Sequence, residues 1–127
     1  ISVRDSDKLA AVEVARELAE LGFTLLATRG TAAVLTAHGV SVIGVNKVAE
    51  GRPHIVDMMK NAEVSLIVNT VEDKRNAVTD SRAIRTSALA QRITYYTTMA
   101  GAQAACAALR HMQDLVPYDL QRLHATL

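Results

Sequence analysis

The chain has a single cysteine, Cys106, so it cannot form an internal disulfide. No apolar run approaches the roughly 18 residues of a membrane span. No basic, then apolar, then small-residue leader opens the chain, so no signal peptide is expected, and the expected compartment is the cytoplasm. An excess of one charge is also missing: 14 basic residues against 13 acidic ones leave a formal net charge of +1. That is too little to hold nucleic acid or an anionic membrane by bulk electrostatics, so any anion must be bound locally. There is no internal repeat, no low-complexity tract and no long linker. An initiator methionine is absent too. Ile1 opens inside an apolar run, which reads as a segment of a longer polypeptide.

What is present fits one soluble α/β domain over residues 1–127. Half of the residues are apolar and 21% are charged, enough to bury a core. Short apolar runs alternate with helical patterns, as in parallel strands joined by crossover helices. Strands are expected at residues 1–3, 23–27, 40–45, 64–68 and 93–96, the fourth being central. Helices are expected at 7–21, 32–38, 53–61, 81–92 and 99–112, with a last short one beyond Pro117. In the first of these, Ala11, Val14, Ala15 and Leu18 oppose Glu13, Arg16, Glu17 and Glu20 on the helical wheel. Asp5 or Ser6 would start it and Gly22 stop it; Thr31 would cap the second helix and Pro53 open the third. The expected architecture is three layers: a roughly five-stranded parallel sheet, Rossmann-like, with helices on both faces.

Ligands of open parallel sheets bind at the carboxyl ends of the strands. There the sequence offers Ser2, with Lys8 in the first helical turn; Thr28-Arg29-Gly30-Thr31; Asn46-Lys47; Asn69-Thr70; and Thr97-Thr98. Thr28 and Thr31 bracket Gly30 at a helix start, where two hydroxyls and backbone N–H groups can point at one anion, and Lys8 and Lys47 add compact positive charge. Each charged hydrogen bond to a phosphate contributes roughly 1.5–3 kcal/mol, so a few contacts make a micromolar site. A threonine before a helix serves equally as a plain N-cap, and Asn69 and Thr70 could merely satisfy backbone groups at a strand end.

Catalytic constellations are weak. Asp5 and Asp7 read as helix-start charges, and His38, His54, His111 and His124 have neither metal-ligand spacing nor an evident carboxylate partner. No catalytic or metal-binding residue is assigned. Cys106, among alanines, reads as a buried small hydrophobe. Arg52, Lys74, Arg75, Arg82 and Arg85 read as solvated or interface charges. Alternation along the last strand would bury one of Tyr95 and Tyr96 and present the other.

These residues resemble a known family over essentially the full length. Ser2-Val3-Arg4 with Asp7-Lys8, Ala27-Thr28-Arg29-Gly30-Thr31, Val45-Asn46-Lys47-Val48, Glu50-Gly51-Arg52-Pro53-His54-Ile55, Ile67-Val68-Asn69-Thr70, and Asp80-Ser81-Arg82 through Ser87-Ala88-Leu89 are similar to the carboxyl-terminal regulatory domain of the carbamoyl-phosphate synthase large subunit. That domain has the methylglyoxal-synthase-like fold. The resemblance implies an allosteric sensor of carbamoyl phosphate supply for arginine and pyrimidine synthesis, inhibited by UMP and activated by IMP, with ornithine activating at the boundary to the neighbouring synthetase half. It puts the phosphate on Lys8, Thr28, Thr31 and Lys47, with Gly30 between the threonines, and the ribose and base on Ser2, Asn69 and Thr70. Ornithine falls to Tyr95 and Thr97, whose acidic partners lie elsewhere in the longer chain. The segment itself would need no cofactor and turn nothing over. The parent enzyme, a glutamine-hydrolysing ligase using ATP with Mg or Mn, would supply the rest of the large subunit, a glutaminase small subunit and any self-association. Val71 departs from the family's second threonine, and the loop after it is one residue longer.

A free-standing lyase resembling methylglyoxal synthase is the alternative. It requires a carboxylate base after the third strand and a histidine after the fourth, where this chain offers Arg52 and Thr79. The related cyclohydrolase domain of purine synthesis shares the fold but lacks the Glu-Gly-Arg-Pro-His block.

Overall fold

The structure, a computed structural model, describes residues 1–47, 50–61, 63–71 and 75–115. A 3₁₀ turn, Asp5–Asp7, leads into α1 (Lys8–Glu20). Then follow β1 (Leu26–Thr28), α2 (Arg29–Ala37), β2 (Ile43–Val45), α3 (Ile55–Lys60), β3 (Leu66–Val68), α4 (Arg75–Gln91), β4 (Thr94–Tyr96) and α5 (Met99–Leu115). The helix expected beyond Pro117 lies outside the described residues.

β1 pairs in parallel with β2, and β3 with β4. Residues 1–3, expected to be a strand, form only one parallel bridge, Ser2 to Asn69. Yet their backbone joins the two pairs. Ile1 N donates to Leu26 O at 2.7 Å, and Thr28 N donates to Ile1 O at 3.3 Å. On the other side Ser2 N donates to Val68 O at 2.9 Å and Thr70 N to Ser2 O at 3.2 Å. The spatial order is therefore β2, β1, residues 1–3, β3, β4. Four strands and one short bridging segment replace the five strands expected.

All four strands are shorter than the apolar runs that contain them, for one shared reason. Each preceding helix ends by accepting an N–H from a residue five positions on: Phe23 N to Leu18 O, Val40 N to Leu35 O, Glu63 N to Met58 O and Ile93 N to Ala88 O, all between 2.9 and 3.1 Å. This is the Schellman closure, which needs a left-handed residue just past the helix. Gly22, Gly39 and Arg92 supply it, at φ of 98°, 79° and 56°. Phe23, Val40 and Ile93, the first residues of three of the runs, are thus held by a helix end before the sheet takes the chain.

The helices form two layers. α1 packs on α2 and α5 around Ala11, Val14, Ala15, Leu18, Leu35, Val68 and Cys106. α3 packs on α4 across the other side, around Ile55, Met59, Ile67, Ile84 and Ala88. Cys106 is buried as expected, and burial pushes its thiol pKa up. Four helix starts differ from the sequence reading. The residue before α1 is Asp7, not Asp5 or Ser6, and Thr31, expected to cap the second helix, lies inside α2, whose N-cap is Thr28 because the chain passes from β1 straight into the helix. Pro53 precedes α3 instead of opening it, because His54 is the N-cap of a reciprocal capping box: Asp57 N donates to His54 Nδ1 and His54 N to Asp57 Oδ2. α4 begins at Arg75, well before the start expected at residue 81, so Asp80 and Ser81 lie inside the helix.

Candidate anion-binding site

The chain crosses from β1 into α2 without an intervening loop. Thr28 is the N-cap, extended at φ −66° and ψ 157°, but its side chain makes no capping bond. Its Oγ1 instead donates to Ser2 Oγ at 3.0 Å. A helix start whose own cap is turned away leaves first-turn N–H groups for an outside acceptor, with the positive end of the helix dipole behind them.

Lys8 stands over this helix start. Its Nζ is 3.0 Å from where a β-carbon on residue 30 would lie, so glycine there makes room for the ammonium. The side chain is mostly buried and pairs with exposed Asp5. Beyond β2, Lys47 N donates to Glu50 Oε1 at 2.7 Å and Glu50 N to Lys47 O at 3.0 Å, a tight turn that fixes the lysine backbone. No described residue pairs with the Lys47 ammonium. Arg29, in the first turn of α2, reaches to Asn46 Oδ1 at 3.3 Å and to Glu50 at 3.6 Å. It ties the β1 and β2 exits together, a role that spacing could not reveal because its partners lie 17 and 21 positions on.

The threonine hydroxyls do not all face outward as the sequence reading has them. Thr28, Thr31 and Thr70 are buried. Thr31 Oγ1 accepts from Val3 N at 3.2 Å and Thr70 Oγ1 from Arg4 N at 3.0 Å. They fasten the chain leaving residues 1–3 to the strand ends on either side. A hydroxyl that accepts one bond still carries its own proton, so Ser2, Thr31 and Thr70 each keep a donor.

Asn69 lies across the junction and is 2% exposed. Its Nδ2 donates to Ser81 Oγ at 3.1 Å and to Tyr95 Oη at 2.8 Å. The two tyrosines take opposite faces of the strand, but neither is presented: both are half-buried, because helices cover both faces. Tyr95 turns to Asn69, with the Arg85 guanidinium 5.9 Å over its ring, while Tyr96 joins the α1 and α5 side of the core. Thr97 is exposed at the end of β4, and Thr98 Oγ1 accepts from Gly101 N at the start of α5. Ser2, Lys8, Thr28, Gly30, Thr31, Asn69 and Thr70 are thus linked around residues 1–8 and the ends of β1 and β3, Lys47 follows β2, and Tyr95 is bonded to Asn69.

Other candidates do not compete. A largely apolar cavity of about 80 Å³ is lined by Leu26, Val45, Ile55, Ile67 and Ile84 and also by Ser2, Thr28 and Asn69 of the strand ends, with no basic side chain in its wall. His38 Nδ1 lies 2.9 Å from Val34 O at the end of α2, and His54 caps α3, both helix-end roles. Among the described residues, no group of three or more His, Cys, Asp or Glu could hold a metal. The Arg52 guanidinium is hydrogen-bonded to Asp57. That bond, helped by the His54 N–H, holds the Asp57 carboxyl well below the usual carboxylate range. Side-chain details at Thr79 lie outside what is described.

The sequence model of the MGS-like domain matches residues 10–97. The chain belongs to the MGS-like domain family. It is also similar end to end to carbamoyl phosphate synthase large chains: 58% identical over 127 residues in Ralstonia nicotianae and 54% over 125 residues in Halomonas eurihalina. Those matches cover 100% and 98% of this chain but 12% of each relative, so the chain spans about an eighth of those proteins. Among solved structures, a methylglyoxal synthase from Elizabethkingia anophelis is similar at a TM-score of 0.64 and 18% identity, over 83% of this chain and 73% of that one. At that identity the likeness speaks for the fold.

Proposed function

We propose that this chain is the allosteric domain of a carbamoyl phosphate synthase large chain, that it binds nucleoside monophosphates of the UMP and IMP type, and that it forms one side of an ornithine site. The observation that carries the reading is the uncapped start of α2 beneath the Lys8 ammonium. A phosphate monoester suits that place: two negative charges against a helix dipole, Lys8 and Lys47. The donors that remain on Ser2, Thr31 and Thr70 suit the sugar and phosphate oxygens beside it. Asn69 follows along the same crevice, where ribose and base would extend.

Ornithine would meet Tyr95 and exposed Thr97. The side chains bonded to or stacked on Tyr95 are Asn69 and Arg85, neither acidic, so the carboxylates for its ammonium groups must come from the rest of the longer protein, the synthetase halves that use ATP with Mg or Mn and draw on a glutaminase small subunit. An effector shifts a distant ligase site only by binding more tightly to one of two arrangements of the whole enzyme, a coupling of typically about 1–3 kcal/mol.

Catalysis of phosphate elimination is the reading set against this. The carboxylate nearest to hand after β2, Glu50, is held by the Lys47 N–H and by Arg29, and Asp57 is held by Arg52. One experiment separates the two. Dihydroxyacetone phosphate incubated with the protein should yield no methylglyoxal above background, while UMP and IMP bind and ornithine alone binds little. Enzyme-dependent methylglyoxal would overturn the regulatory reading.

A further inference from the structure

Resting on the reading that this chain is part of a longer large chain, we infer that the outer face of α4 is a docking surface for an acidic face of the rest of that same polypeptide. Arg82, Arg85 and Leu89 follow one another at helical spacing, with Arg92 just past the helix end. All four are exposed. Leu89, at 77%, is the most exposed large apolar side chain among the described residues. The opposite face of the helix is already used: Ile84 and Ala88 are buried with Met59 and Ile67 in the core below.

Charge decides what kind of surface fits. Arg4, Arg16, Arg29, Arg52 and Arg110 each pair with a carboxylate. Arg82, Arg85 and Arg92 pair with none among the described residues, and no Asp or Glu occurs between Asp80 and Asp114 to serve them locally. Arg85 is also held in place, its guanidinium 5.9 Å over the Tyr95 ring. Guanidinium forks around one apolar side chain are matched by carboxylates around an apolar seat. The rest of the same polypeptide is the fitting occupant on grounds of strength. One leucine among three arginines falls far short of the apolar centre of a free-standing interface, which buries about 1,200–2,000 Å² in all. A tethered partner needs much less, because the link holds it at roughly millimolar effective concentration. The matched large chains extend far beyond this segment, which covers 12% of each. α4 also reaches the proposed pocket on its inner side, where Ser81 Oγ accepts from Asn69 Nδ2 at 3.1 Å. One helix thus has the pocket on one side and the docking face on the other.

The test is zero-length carbodiimide cross-linking of the full-length large chain carrying Arg82→Lys or Arg85→Lys, read by mass spectrometry on a mixture of isotope-labelled and unlabelled copies. The expected product is an amide from the introduced lysine to an Asp or Glu outside residues 1–127, within one copy and unaffected by dilution. Leu89→Asp in the same background puts a like charge into the seat and should lower that yield about tenfold. No amide, amides only within residues 1–127, amides between labelled and unlabelled copies, or an undiminished yield with Leu89→Asp each overturns the inference. UMP titrated into the wild-type large chain keeps the two readings apart: absence of binding sinks the nucleotide reading and leaves the docking face standing.

Discussion

The Lys8 ammonium lies 3.0 Å from the point where a β-carbon on residue 30 would stand, against the first turn of α2. The two residues are 22 positions apart, and glycine at 30 lets the ammonium lie against the start of α2. Gly30→Ala should push the ammonium outward while the backbone stays in place, since the crowding atom is the tip of a flexible side chain. Alanine also favours a helix over glycine by up to about 1 kcal/mol. The expected outcome is a thermal midpoint equal to or above wild type and nucleotide affinity lower by about tenfold. Unimpaired binding would mean that Lys8 does not act at the α2 start.

Thr31 tests a structural role inside the same motif. Its Oγ1 accepts the Val3 N–H in a buried place. Thr31→Val keeps the shape and removes the acceptor, so stability should fall by about 1–3 kcal/mol, whereas Thr31→Ser should retain most of it. Denaturant unfolding of both variants reads this. Equal stability for Val and Ser would show that the bond contributes nothing.

Much of this was legible in the sequence because local chemistry decides it. Gly22 and Gly39 mark helix ends, since only a residue at ease at positive φ closes a Schellman turn. The alternation of apolar runs and helical patterns gives the layered α/β arrangement, and listing the strand ends gathers Ser2, Lys8, Thr28, Gly30, Thr31, Asn69 and Thr70. What was hidden depends on distant partners. Residues 54–100 contain neither Gly nor Pro, so nothing in composition separates a polar loop from the polar first turns of α4. Which way Thr28 and Thr31 turn is set by Ser2 and Val3, 26 and 28 positions away. Tyr95 and Tyr96 do alternate across the strand, but helices cover both faces, so neither ring is presented to solvent, and Tyr95 bonds to Asn69, 26 positions away.

The Arg52, Asp57 and His54 cluster holds the turn after β2 and gives a pH signature. The Asp57 pKa is depressed, first by the Arg52 hydrogen bond and next by the His54 N–H. A carboxylate with a lowered folded-state pKa stabilises fully above its unfolded value of about 3.9, and that contribution is lost as pH falls toward the folded value. Asp57→Asn should therefore melt below wild type at pH 6–7, and the gap should narrow as pH drops below about 4. A gap that stays constant from neutral to acid pH would separate Asp57 from the acid response.

The most direct measurement of the central claim is a pair of calorimetric titrations, UMP and uridine, on wild type and on Lys47→Ala. On the proposed reading the phosphate is the group held by the α2 start, Lys8 and Lys47, so UMP should bind wild type in the micromolar range and uridine about a hundredfold or more weaker. Lys47→Ala should weaken UMP by about 1–3 kcal/mol, leave uridine unchanged and leave folding intact. Uridine binding as tightly as UMP, or UMP binding to Lys47→Ala as to wild type, would contradict a phosphate site at this crevice.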